Sequence, residues 1–213
     1  MARFYSQNSL ANIDPATLAL TGSAVFNVPG GKVIETHWNS HNGKTLDVVF
    51  REENDEWRLD WEDFARYSDH PWPLFLAGSG EPEGEFRLLA RERLADERKD
   101  AQTISVVLYA PRFGRPNDTG FQSPEFLVSR NDRNGQLLDA AFKLAAQHKR
   151  IFNASLPDLN PGGMIRVRVK IQRSEINLER KFEILEVLAC HWYSVDDPGV
   201  KADAPAKVMP QQR

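Results

Sequence analysis

One cysteine, Cys190, stands in 213 residues, so no internal disulfide can form and the fold must be held by its core. That lone thiol is expected to be buried and inert. No apolar run reaches the roughly 18 residues a membrane helix needs, and residues 1–20 lack the charged-then-apolar pattern of a secretion signal. The chain is therefore expected to be soluble. Net charge is only -3, which exerts no global pull toward nucleic acid or acidic membranes. Catalytic signatures are missing as well. No serine or cysteine sits in a nucleophile elbow, and Gly78-Ser79-Gly80 lacks the lysine and helix entry of a phosphate-binding loop.

Apolar residues make up 41% and charged residues 27% of the chain, which is the composition of a folded globule. Charge is unevenly placed. Residues 1–80 hold 6 basic and 11 acidic side chains, net -5, and residues 81–213 hold 21 and 19, net +2.

Asp14-Pro15 offers a helix start, with the aspartate as cap and the proline in the first helical position. Gly30-Gly31 reads as a turn before a strand. Asn42-Gly43 is the dipeptide of a two-residue type I′ hairpin, and Asn54-Asp55 suggests a second hairpin. If both turns hold two residues, His37 faces Val48, Glu35 faces Phe50, Asn39 faces Leu46, and Phe50 faces Leu59. One sheet face then carries Val33, Glu35, His37, Leu46, Val48, Phe50, Trp57, Leu59 and Trp61, and Asp47 and Arg51 lie on the other. Glu35 and His37 are the ionisable intruders on the more apolar face.

Trp61, Phe64 and Tyr67 recur at helical offsets, so the last strand is expected to run into a short helix. Gly78 to Gly84, with Pro82 inside, reads as a linker. Beyond it, Phe86, Leu88, Ala90 and Leu94 alternate with Arg87, Leu89, Arg91 and Arg93, and Thr103 to Ala110 is nearly all apolar. Pro111 to Ser123 reads as a loop and Phe126 to Ser129 as a short strand. Leu137, Leu138, Ala141, Phe142, Leu144, Ala145 and His148 form a helical stripe, with Lys149 and Arg150 suited to the negative end of the helix dipole. Ile165 to Ile171 alternates with Arg166, Arg168 and Lys170, Phe182 to Tyr193 is a last long strand, and the proline-rich tail from Asp196 is expected to be disordered.

The expected fold is α+β and predominantly antiparallel β. Residues 1–78 form one sheet domain, 79–84 the linker, 85–195 a second domain and 196–213 the tail. In the second domain three strands, a helix and two strands follow the element order of an OB-fold, a small five-stranded barrel.

The hairpin meander and its Glu56-Trp57-Arg58-Leu59-Asp60 ending resemble the closing sheet of a nuclear-transport-factor-2-like (cystatin-like) domain. That resemblance implies a curved sheet whose covering helices precede it in a longer chain. Trp57-x-x-Asp60-Trp61-x-x-Phe64, followed by Tyr67-Ser68, Pro71-Trp72-x-x-Phe75 and Glu85-Phe86-Arg87, is similar to a family of bacterial proteins from planctomycetes and verrucomicrobia. That family carries no activity over, and it implies an exported or membrane-tethered part of a longer chain. Compartment and oligomeric state stay open.

Three constellations are candidates for chemistry. His37 and His41 are about 13 Å apart if they lie on one strand, so no metal site is expected there, nor any cofactor elsewhere. Glu35 and His37 with Trp57 and Trp61 have the groups of a ligand pocket, in which His37 would be a general base and Glu35 its electrostatic partner. Arg87, Arg91, Arg166 and Arg168, with Arg93 and Lys170, form a basic stripe that Glu183 and Glu186 can neutralise, so a nucleic-acid partner is not expected. The reading favoured is a non-enzymatic binding or assembly module for a protein partner or another segment of a longer chain, with a polar peptide or glycan as further ligands. The alternative is a small-molecule enzyme working through His37.

Overall fold

The computed structural model describes residues 2–7, 13–93, 102–115, 118–153, 160–177 and 179–202. The elements are α1 (Ala2–Gln7), a 3-10 turn (Pro15–Thr17), β1 (Ala19–Val28), β2 (Gly31–Asn39), β3 (Thr45–Glu53), β4 (Glu56–Leu59), α2 (Trp61–Phe64), α3 (Trp72–Leu76), β5 (Glu83–Glu92), β6 (Thr103–Pro111), β7 (Thr119–Ser129), α4 (Arg133–Ala146), β8 (Met164–Ile176) and β9 (Glu179–Ala189). They build two antiparallel sheets, β1-β2-β3-β4 and β7-β6-β5-β8-β9. The fold is thus α+β and mostly β. The second sheet curls until its edge strands β7 and β9 touch. None of the described helices is long and apolar enough to cross a membrane.

Local chemistry accounts for the turns. Asn54 and Asp55 both have positive φ, 52° and 63°, so β3 and β4 join through a two-residue turn with Phe50 opposite Leu59, as expected. The β2–β3 hairpin differs. Ser40 pairs with Lys44 around His41, Asn42 and Gly43, and only Gly43 has positive φ, at 75°. This three-residue loop, with glycine in the left-handed position, accepts the same Asn-Gly dipeptide as a two-residue turn. The register accordingly slips by one: His37 faces Asp47, Glu35 faces Val49 and Asn39 faces Thr45.

A one-residue slip turns a strand over. Asp47, Val49 and Arg51 therefore join Val33, Glu35 and His37 on the inner face, while Val48, Phe50, Leu59 and Trp57 take the outer face with Ile34 and Trp38. Strand β1, hidden in sequence by its threonine, glycine and serine, adds Phe26 and Val28 to the inner face.

The second sheet follows its predicted phases. Phe86, Leu88 and Ala90 point to a core shared with Ile104, Leu108, Val167, Val169, Ile171 and the α4 residues Leu137, Leu138, Ala141 and Phe142. Trp72 and Phe75 of α3 pack into that same core. Leu94 lies outside the described residues. Residues 119–123, expected as loop, open β7; as part of an edge strand they needed no apolar alternation.

Helix α4 is capped by Asp132, which accepts from the Gly135 amide at 2.8 Å, and it ends at Ala146. Lys149 and Arg150 therefore lie beyond its last turn, and Arg150 reaches across to the first sheet. The start of the expected disordered tail is folded: the Pro198 carbonyl accepts from the Cys190 amide at 2.9 Å, and Val200 is buried in the second core. Single contacts pin this segment, so it shows no periodicity. Residues 203–213 of the tail lie outside the described residues.

Candidate functional site

The polar residues singled out from sequence converge between the two sheets. Glu35 and His37 stand on the inner face of β2, both buried. Facing them, β5 and β8 present Arg87 directly opposite Arg168, and Leu89 opposite Arg166. The presumed surface stripe and the presumed pocket acids are two sides of one buried layer. This also gives the uneven charge along the chain its meaning.

Arg166 is the hub. Its Nη2 donates to Asp47 Oδ2 at 2.8 Å, its Nη1 lies 3.4 Å from Glu35 Oε1, and its Nε donates to Asn160 Oδ1 at 2.9 Å. Glu35 Oε2 also accepts from Arg150 Nη2 at 2.9 Å and from the Tyr193 hydroxyl at 3.0 Å. His37 Nδ1 lies 2.7 Å from Asp47 Oδ1. Burial pushes Asp47 up, but the His37 hydrogen bond and the charges of Arg166 and Arg66 outweigh it and hold the carboxyl well below the usual range. Asp47 is thus a carboxylate, so His37 Nδ1 carries the proton and donates it. Burial alone would lower the Arg166 pKa; Asp47 and Glu35 more than reverse this. Arg66 lacks that much compensation, and burial holds its pKa below the ordinary value. Both guanidiniums lie over the Trp192 ring, at 5.4 Å for Arg66 and 4.7 Å for Arg166.

A second group binds the segment after β9. Arg87 donates through Nε to the Trp192 carbonyl at 3.0 Å and through Nη2 to Glu62 Oε2 at 2.6 Å. Asp60 accepts from the Ser194 amide at 2.8 Å and its hydroxyl at 2.7 Å, while also capping α2 through the Asp63 amide. Arg51 and Arg168 donate to the Ser194 and Val195 carbonyls at 2.9 and 3.0 Å. Arg91 alone of the four stripe residues named for a polyanion surface is exposed; it lies over Tyr109 and donates to the Gly162 carbonyl.

This layer is closed. A general base must come within hydrogen-bond reach of its substrate, yet His37 is 2% exposed, its Nδ1 is engaged, and its buried Nε2 has no hydrogen-bond partner among the described residues. The cavity beside Asp47, Arg66, Arg166 and Trp192 holds about 10 Å³, room for one water. Trp57 cannot line a pocket with them either, because the register slip puts it on the outer face, 44% exposed. Among the described residues no group of three or more histidines, cysteines or acids comes together to hold a metal.

An open cavity lies elsewhere. A cleft of about 360 Å³ at the junction of the halves is lined by Phe4, Trp61, Tyr67, Trp72 and Phe113, with Arg3, Arg66 and Arg87 among its polar side chains. Trp61, the fourth pocket residue named from sequence, belongs here. Phe4 of α1 sits edge-on to Trp61 at 5.2 Å and to Phe113 at 5.0 Å, and tilted against Phe64 at 5.7 Å. Arg3 anchors the same helix on the Ser68 and Asp69 carbonyls and lies over Tyr67. The buried Nε1 of Trp72 has no hydrogen-bond partner among the described residues.

Asp47, Arg66, Arg150, Trp192 and Tyr193 escaped the sequence reading. The slipped register hid Asp47, and Arg66 and Arg150 stand outside any regular element. The signal available was the opposite charge of the two halves. Comparison with protein-family models, with curated proteins and with solved structures finds no match for this chain.

Proposed function

We propose that the chain is a non-enzymatic binding or assembly module whose junctional cleft seats a short helical segment bearing an aromatic side chain. The observation that carries this reading is the position of Phe4: a phenyl ring from a separate short helix, held among Trp61, Phe64 and Phe113 with Arg3 clamped to the cleft rim. A volume of about 360 Å³ is in the range of ligand sites, and an aromatic lining beside the arginines Arg3, Arg66 and Arg87 suits an amphipathic helix anchored by one ring. The closed ionic layer supports a non-enzymatic role, because the groups that would do chemistry are spent on joining the sheets. The strand order β7-β6-β5-β8-β9, with β7 and β9 in contact but not paired in the sheet and α4 following β7, supports an OB-like reading of the second half.

The test is direct. Deleting residues 1–7 vacates the ring site among Trp61, Phe64 and Phe113 at the wall of the cleft, and a synthetic peptide of those seven residues is titrated back while tryptophan fluorescence is followed. A saturable change that disappears when the peptide carries Phe4→Ala is the expected result. No saturable change, or equal binding of both peptides, overturns the proposal.

A further inference from the structure

Four strands end the two sheets, and three of them carry features that keep another strand away. Strand β4 has only four residues and bears Glu56 and Arg58. Strand β7 contains Pro124 and Glu125, and its pairing with β6 is interrupted by two register shifts. Strand β9 carries Glu179, Arg180, Lys181, Glu183 and Glu186. Charge, proline, brevity and bulges are the usual protections of a sheet edge.

Strand β1 has little of this. Its ten residues, Ala19–Val28, include no charged side chain and no proline. The single register shift near Thr21 leaves Gly22 to Val28 in continuous pairing with β2. Leu20 and Val25 project from it 52% and 62% exposed. Half of the main-chain amides and carbonyls of such a strand point away from β2, its one neighbour among the described strands.

We propose that β1 is a self-association edge, pairing antiparallel with β1 of a second copy across a twofold axis so that the two four-stranded sheets become one. The occupant follows from charge. Across a twofold axis an antiparallel strand meets itself, so a charged side chain on the axis faces its own copy, and a strand without charge avoids that conflict wherever the axis falls. Among the described sheet edges β1 is the one with no charged side chain, so it admits any position of the axis. A foreign strand would be selected by opposite charge or side-chain pockets, and β1 offers no charge to select with. Phe26 and Val28 stay under Tyr193 and Phe152 on the inner face, so edge pairing requires no rearrangement of the core.

Packing outer face against outer face, through Trp57 and Leu59 on β4, is the competing arrangement, and two variants separate them. Light scattering on the full chain is expected to give a mass rising with concentration from 24.2 kDa toward twice that value. Amide exchange across residues 22–28 is expected to slow over the same concentration range. Val25→Lys, at an exposed position, is expected to hold the mass at the monomer value with unchanged circular dichroism, while Trp57→Lys leaves the dimer intact. A wild-type chain that stays monomeric at every concentration overturns the inference. So does a dimer that survives Val25→Lys, one that Trp57→Lys breaks, or one with no concentration-dependent protection of β1.

Discussion

Replacing Arg166 with methionine removes the partner shared by two buried carboxylates, Glu35 and Asp47, and leaves Glu35 to Arg150 and Tyr193 and Asp47 to His37 and Arg66. Taking one member from a buried ion pair costs about 3–5 kcal/mol, because the charge left behind stays out of water. Urea unfolding of Arg166→Met is expected to show a loss of that order, and adding Glu35→Gln and Asp47→Asn should restore part of it. A loss below about 1 kcal/mol, the worth of an exposed pair, would contradict the buried placement. Asp63 responds to pH in the opposite sense to Asp47. Burial, opposed by Arg166, raises the Asp63 carboxyl to about 7, and its Oδ2 has no hydrogen-bond partner among the described residues. With a folded pKa above the unfolded one, the native state holds the extra proton, so this group's contribution falls as pH rises from about 4 to about 7, by at most about 1.4 kcal/mol per pH unit. Asp63→Asn should therefore raise stability more at pH 8 than at pH 5. Equal gains at the two pH values would show that Asp63 does not titrate there. Asp47, held low, contributes stability above the ordinary carboxylate pKa that is lost as pH falls through its folded value.

Elements were legible in sequence wherever local chemistry admitted one solution. Asn54-Asp55 allowed one turn and gave the right register, and the α4 stripe named the buried Leu137, Leu138, Ala141 and Phe142. Asn42-Gly43 allowed two, and the wrong choice moved Asp47 to the wrong face while putting Trp57 beside His37. Patterning could not arbitrate, since Val48 and Val49 suit either face equally well. The inner face here is polar at Glu35, His37 and Asp47, against the usual rule. Strand β1 was missed because an edge strand with one half-exposed face needs few large apolar residues. At this scale Gly135 is the decisive position in α4: a methyl group added there would overlap the Ser129 carbonyl oxygen. Gly135→Ala, favourable by helix propensity alone, is instead expected to lower stability by about 2 kcal/mol through overpacking. Thermal unfolding measures it, and a stabilised variant would contradict the contact.

At the scale of the whole molecule, the sequence shows two halves of opposite charge, and the structure shows those charges meeting. The chain passes from one sheet to the other between Leu59 and Glu83, so residues 83 and 84 of the expected linker open β5, yet Trp72 and Phe75 in that interval fill the core of the second sheet, and Tyr193 and Phe152 return to cover Phe26 and Val33. Neither sheet closes its own core. A chain of residues 79–202 alone would expose Leu89, Met164 and Trp192, and it would leave Arg87 and Arg166 without Glu62, Glu35 and Asp47. Residues 13–78 alone would lay Glu35, His37 and Asp47 open to water beside a bare Phe26. Apolar burial is worth about 25 cal/mol per Å², so losing the shared layer takes from each half more than the few kcal/mol that a domain of this size holds in reserve. Expressed separately, each half is therefore expected to show no cooperative thermal transition by circular dichroism, whereas the two mixed should recover one. Salt should affect the intact chain weakly, because charges buried between sheets are screened far less than exposed ones. A cooperative transition in either isolated half would show that the ionic layer is an accessory to two independent domains.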